Sequence, residues 1–279
     1  MASDTTHRTH PFHLVNPSPW PIVGSAGAAC LAVGLIVYMH TDFMPLFLTG
    51  VGLILITFIG WWRDVIKEAN SGVDHTEVVR TGLRIGMLLF IASEVMFFFA
   101  FFWAYFHSSL PILNNVAGPW PNNGLEPMGP GGIPMLNTLI LLTSSVTVTV
   151  AHHALLENDR QTVVRWTLIT WILGAIFLGF QIYEYWHLIQ TEWTIKDGVY
   201  PSSFFLATGF HGAHVFIGTT FLIVCWLRAR AGHFTPDAHI GFEAAAWYWH
   251  FVDVVWVFLY INVYWWGSSA FGHLHPALQ

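Results

Sequence analysis

The stretch from Leu83 to His107, LRIGMLLFIASEVMFFFAFFWAYFH, decides how this chain folds. It holds one carboxylate, Glu94, inside an otherwise apolar run from Ile85 to Phe106. At a helical rise of about 1.5 Å per residue, that run is long enough to cross a hydrocarbon core of roughly 30 Å, which places Glu94 near mid-membrane. A charged side chain at that depth costs at least ~2.5 kcal/mol on insertion scales, so such a residue is a functional-site candidate by default. Its same-face neighbours on a helix, Phe90, Ile91, Phe97, Phe98 and Phe101, are all apolar. The partner of Glu94 must therefore come from elsewhere, or Glu94 carries a proton, which burial among phenyl rings favours. Two readings stay open, a working proton-bearing group and a protonated acid bonded to a neighbouring helix as packing glue.

Composition extends this reading to the whole chain. The hydrophobic fraction is 54%, charged residues make up 9%, and the mean hydropathy is +0.55, whereas soluble domains carry about 25% charged residues. The chain is thus an all-α, polytopic membrane protein. Six further apolar stretches join the first, giving helices at about 20–40, 44–62, 83–107, 135–156, 163–187, 203–227 and 244–266 in one membrane domain, behind a polar tail over 1–18. Pro17, Pro19 and Pro21 suit the first turn of the first helix. The tail has no basic region running directly into a short apolar core and cleavage site, so that helix is expected to stay in the mature chain.

Basic residues test the count. With the N-terminus inside, nine of the ten Lys and Arg lie on inner segments: Arg8, Arg63, Lys67, Arg80, Arg84, Arg160, Arg165, Arg228 and Arg230. Only Lys196 is outside, so the positive-inside rule favours seven helices with the N-terminus inside and the C-terminus outside. A net charge of −6 leaves no nucleic-acid footprint.

Sixteen histidines raise the question of haem or copper. Two-His ligation needs facing residues at matched depth on separate helices, and His250 could face His211. Tyr, Trp and carboxylates crowd the same positions, as they would in a hydrogen-bonded interhelical network, and that is the favoured reading. Cys30 and Cys225 form no thiolate motif. Glu243, Trp247, His250 and Asp253 make one polar stripe, Gln181, Glu184 and His187 another, and Ser144, Ser145, Thr147 and Thr149 add hydroxyls, so the last four helices read as a polar-jointed bundle. The first two helices instead carry Gly24, Gly27, Ala28, Gly34, Gly50, Gly52 and Gly60, which permit close approach. At the inner ends of helices 2 and 6, Trp61, Trp62 and Arg63, with Glu68 and His75, and Arg228, Arg230 and His233 suit either lipid phosphates or plain positive-inside anchoring.

The segments NPSPWP (16–21), WWRDVIKE (61–68), SEVMFFFAFFWAYFH (93–107), AHHALLENDR (151–160), ATGFHGAHVFIGTTFL (207–222) and GFEAAAWYWHFVDVVWVFLYINVYWWGS (241–268) resemble cytochrome c oxidase subunit III of the haem-copper oxidases. The resemblance covers nearly the whole chain; Val150 and WPNNGLEP (120–127) depart from the family pattern. It implies helices 1 and 2 splayed from helices 3 to 7 around a cleft holding structural phospholipids. It further implies no cofactor or metal on this chain and no catalytic residue, with haem a and copper in partner subunits I and II, and small accessory subunits as further partners. Glu94 matches the family's buried carbodiimide-reactive carboxylate, and Trp61, Trp62, Arg63, Glu68, His75, Arg228 and His233 match positions around lipid headgroups. The implied role is to stabilise subunit I during proton-pumping turnover and to support its proton uptake, in a mitochondrial inner or bacterial cytoplasmic membrane. A cytochrome b-like haem carrier and an independent transporter or proton channel using Glu94 are the competing readings.

Overall fold

The computed structural model describes residues 10–110, 120–121 and 125–268, and among them are seven long helices. Each of the seven, among the described residues, is long and apolar enough to cross a membrane. They are α1 (Trp20–Thr41), α2 (Pro45–Asn70), α3 (Glu77–Ser109), α4 (Ile133–Leu156), α5 (Arg160–Thr191), α6 (Val199–Ala231) and α7 (Ile240–Leu259), the last running on as a π-helical turn over Tyr260–Trp265. Arg8, the first nine residues of the polar tail and the tail beyond 268 lie outside the described residues. Large apolar side chains such as Ile22, Met39, Ile182 and Val254 stand exposed on the helix surfaces, as a chain solvated by lipid requires. This is an all-α, multi-pass membrane protein.

The helices run past the apolar spans read from sequence. α2 continues eight residues beyond Trp62, and α3 starts six before Leu83. The hydrocarbon sets only the apolar length, whereas Arg, Lys, Glu and Ala in the flanks are good helix formers that carry the turns into the headgroups. Arg63 and Glu68 are accordingly on α2, and Arg228 is on α6, rather than in the connections after them.

The chain divides into two compact units, residues 1–83 and 84–279. In the first, α1 and α2 pack as an antiparallel pair joined across Asp42, whose φ is 57°. Glycine sets their separation. A Cβ at Gly34 would fall 2.5 Å from the Phe47 backbone nitrogen, one at Gly50 would strike the Leu31 backbone, and one at Gly60 would strike the Trp20 ring. Trp20 Nε1 also donates to Asp64 Oδ2 at 2.6 Å, tying the two helices at one end. Gly52 faces open space.

The second unit is built around Trp249, which is fully buried. Its ring occupies the room left by Gly174 on α5 and Gly218 on α6, and its Nε1 donates to Ser144 Oγ on α4 at 2.9 Å. Trp256 repeats the arrangement two turns on, donating to Thr138 Oγ1 at 2.9 Å. The Thr147 and Thr170 hydroxyls share a bond at 2.8 Å between α4 and α5. The Tyr185 and Thr208 hydroxyls share another at 2.6 Å between α5 and α6, so these bonds join α4, α5, α6 and α7 into a polar-jointed bundle. α3 meets α6 and α7 through rings, Phe97 and Phe101 against Phe210, and Phe102 against Phe258 at 4.4 Å between centroids. Bulky rings on both sides keep those backbones apart, so α3 lies alongside the bundle rather than inside it.

Helix ends outside the apolar cores are closed by their own chemistry. Asp159 caps α5, its carboxylate accepting the Thr162 backbone N–H at 3.2 Å and the Thr162 hydroxyl at 2.5 Å. Those two bonds hold the carboxyl below its ordinary range. α6 ends at Gly232 (φ 75°), with Gly232 N–H donating to Ala229 O and His233 N–H to Arg228 O, the paired bonds that close a helix on a left-handed residue. Arg160 supplies donors to the Ala229 and Arg230 carbonyls, a cation at the negative end of a helix.

Candidate functional site: the Glu94–His214 pair and the arginine-bearing helix ends

The partner of Glu94 comes from α6. Glu94 Oε2 lies 2.8 Å from His214 Nε2. His214 is nearly buried, its ring walled by Phe98 at 4.9 Å, Phe97 at 5.8 Å and Tyr248 at 6.4 Å between centroids. α3 supplies the carboxylate and phenyl wall, while α7 supplies the phenol.

Hydrogen bonding sets the fewest protons the pair can hold. His214 Nδ1 sits 2.7 Å from the Phe210 carbonyl oxygen, which only accepts, so Nδ1 carries a hydrogen. Nε2 is then either a lone pair facing a protonated Glu94 or an N–H facing a carboxylate. Both forms put one proton between the two side chains and leave the pair neutral overall. A neutral pair avoids the cost of an isolated charge in hydrocarbon and can pass its proton across 2.8 Å without moving a backbone.

The other two histidines weighed for metal differ in their surroundings. His250 Nδ1 meets Ser145 Oγ at 2.6 Å and its Nε2 meets Thr149 Oγ1 at 3.4 Å. His211 is stacked on Trp256 at 5.2 Å and edge-on to Phe177, and both of its ring nitrogens are buried without a hydrogen-bond partner. Among the described residues no group of three His, Cys, Asp or Glu is arranged to hold a metal ion.

The headgroup candidates divide between the two units. In the first, Trp61 and Trp62 are exposed on α2 and line an open apolar groove of about 340 Å³ with Ile54, Thr57, Phe58 and Val65. Arg63 follows directly and is exposed. Glu68 and His75 are half-buried, the His75 ring lying 6.5 Å from that of His13. In the second unit, the Arg228 guanidinium is stacked 4.4 Å over Phe234, and His233 is exposed just beyond the end of α6. Arg84, another of the inner basic residues, pairs with Glu243 at 3.0 Å.

Reading by residue type placed Glu94 but did not assign His214 to it. The usable signal was that a mid-helix histidine on α6 and a mid-helix carboxylate on α3 are both too costly to leave alone in lipid. Arg160, one of the inner basic residues, also caps α6 across the sequence, a contact that no local pattern encodes.

The family model described as cytochrome c oxidase subunit III matches residues 10–268. Among the most similar curated relatives, the cytochrome c oxidase subunit 3 of Marchantia polymorpha is 55% identical over 262 residues, covering 93% of this chain and 98% of that protein. Those of Osphranter robustus and Patiria pectinifera are 53% and 55% identical over 263 residues, each covering 94% of this chain and 100% of the relative.

Proposed function

The chain belongs to the cytochrome c oxidase subunit III family, and from that membership we propose that it is the redox-silent, lipid-holding subunit of its complex. As a member it is a subunit of a multi-subunit respiratory terminal oxidase. In the proposed reading, subunits I and II carry haem a and copper, and this chain stabilises subunit I and supports its proton uptake. It lies in an energy-transducing inner membrane with its N-terminus inside and its C-terminus outside, the orientation the basic residues favour. Supporting the redox-silent role, Trp249, Trp256 and Phe177 fill the space between α4, α5, α6 and α7 where a four-helix bundle would seat a haem.

The observation that carries the lipid role is the apolar Trp61–Trp62 groove on α2, with the exposed Arg63 next in sequence. The apolar groove suits an acyl chain, and the exposed Arg63 guanidinium, at the same level of α2, is of the kind that binds a phosphate with two parallel bonds. Arg228, held flat by Phe234, offers a second such head. A contact of this kind, charge-assisted and partly shielded, should exceed the ~0.2–1 kcal/mol of an exposed ion pair. Arg63→Ala with Arg228→Ala is expected to release bound phospholipid in native mass spectrometry and to shorten the working life of the oxidase, leaving its spectrum and initial turnover nearly intact. An unchanged lipid count with an unchanged lifetime would reduce both arginines to interfacial anchors.

A further inference from the structure

A second carboxyl lies inside the α4–α7 bundle, apart from Glu94 and from the lipid candidates. Glu184 on α5 is 2% exposed and Gln181, one turn before it, is 4% exposed. It stands seven residues from the end of α5, about 10 Å of helix, well within the apolar span. Gln181 Nε2 donates to Glu184 Oε2 at 2.7 Å, and the Tyr264 hydroxyl donates to the same oxygen at 3.2 Å. The other two oxygens, Glu184 Oε1 and Gln181 Oε1, are buried and have no hydrogen-bond partner.

The accounting singles out one missing hydrogen. An ionised Glu184 would leave two buried acceptors, one of them anionic, with no donor, and a buried acceptor without a donor costs about 1–3 kcal/mol, more when charged. Among the described residues Glu184 has no ion-pair partner. The ionisable side chains acting on it are phenols: Tyr264 on α7, Tyr185 on α5 and Tyr200 on α6. α4 carries no ionisable side chain before His152, and His211 is engaged on Trp256. No cation therefore compensates a carboxylate.

We propose that Glu184 is a proton-holding site, its protonated Oε1 donating to Gln181 Oε1 so that acid and amide close a two-bond ring. One hydrogen then satisfies both orphaned oxygens. Oε2, as the acid's carbonyl, keeps two acceptor sites, matching the two donors that reach it. Turning the amide over exchanges the two ring bonds and leaves the count the same. Tyr264 lies in the π-helical turn that ends α7, so the neutral acid also fastens that turn to α5.

Infrared difference spectroscopy tests this on the full chain in its native complex, with carbon-13 in the Glu carboxyls. Wild type minus Glu184→Gln should show loss of one protonated-carboxyl carbonyl band at neutral pH. That band should shift to higher frequency in Gln181→Met, which removes both ring bonds at similar side-chain length. Glu184→Gln is expected to fold, because two amides close the same ring. Loss of an ionised carboxylate pair in place of the carbonyl band, or a band that Gln181→Met leaves unmoved, would overturn the proposal. Neither readout depends on lipid retention or turnover, so its failure is separate from failure of the lipid role.

Discussion

At Glu94 the decisive quantity is one proton held between an oxygen and an imidazole nitrogen 2.8 Å apart. Removing the imidazole forces that proton onto the carboxyl, because a lone carboxylate among phenyl rings has nothing to pay its desolvation. His214→Leu is therefore expected to raise the rate at which a hydrophobic carbodiimide, which needs the protonated acid, modifies Glu94. Glu94→Gln should abolish labelling at this position and keep the fold, costing no more than about the 1 kcal/mol of one ordinary hydrogen bond. Mass spectrometry of the labelled peptide reads both, and an unchanged rate in His214→Leu would mean that the histidine holds no share of the proton. Glu94 itself was legible in the sequence, since one carboxylate in a run of Phe and Leu violates the solvent's preference. The pairing was not, because which mid-helix residues meet depends on helix order and rotation, and neither is written locally.

Among the elements, the α1–α2 pair shows how far composition carries and where it stops. Seven small residues marked the two helices for close packing, and Gly34, Gly50 and Gly60 do hold the close contacts. Gly52 does not, because its face of α2 points away from α1, and residue type alone cannot separate the two cases. Gly50→Ala is expected to destabilise the pair by about 1–3 kcal/mol through overpacking, while Gly52→Ala should be neutral or stabilising by up to ~1 kcal/mol from helix propensity. Unfolding in detergent with each variant would check the contrast, and equal effects would refute the assigned faces. The start of α5 gives the pH dependence. Asp159 has a folded-state value depressed by its cap bonds, so its stabilisation is present above the ordinary carboxylate range and is lost as pH falls through the depressed value. Asn caps about as well and does not titrate. Asp159→Asn should match wild type at neutral pH and protect the amides of residues 161–164 from hydrogen exchange better than wild type in acid; equal protection in acid would remove the charge from the account.

For the whole molecule, seven membrane-crossing helices were legible because hydrocarbon thickness imposes a length and a composition on every span. Their ends were not, since polar flanks obey helix propensity rather than lipid, and the candidate headgroup residues fall in those flanks. At this scale the chain is proposed to serve a redox complex while carrying no redox centre. The most direct measurement is purification of the tagged chain from its native membrane in mild detergent, with visible spectra taken before and after the chain is split from its partners. The intact preparation is expected to bring down the haem-bearing subunits with their absorption, and after splitting the absorption is expected to stay wholly with them, leaving the chain transparent above its aromatic bands. A haem band travelling with the separated chain, or a chain that purifies alone, would contradict it.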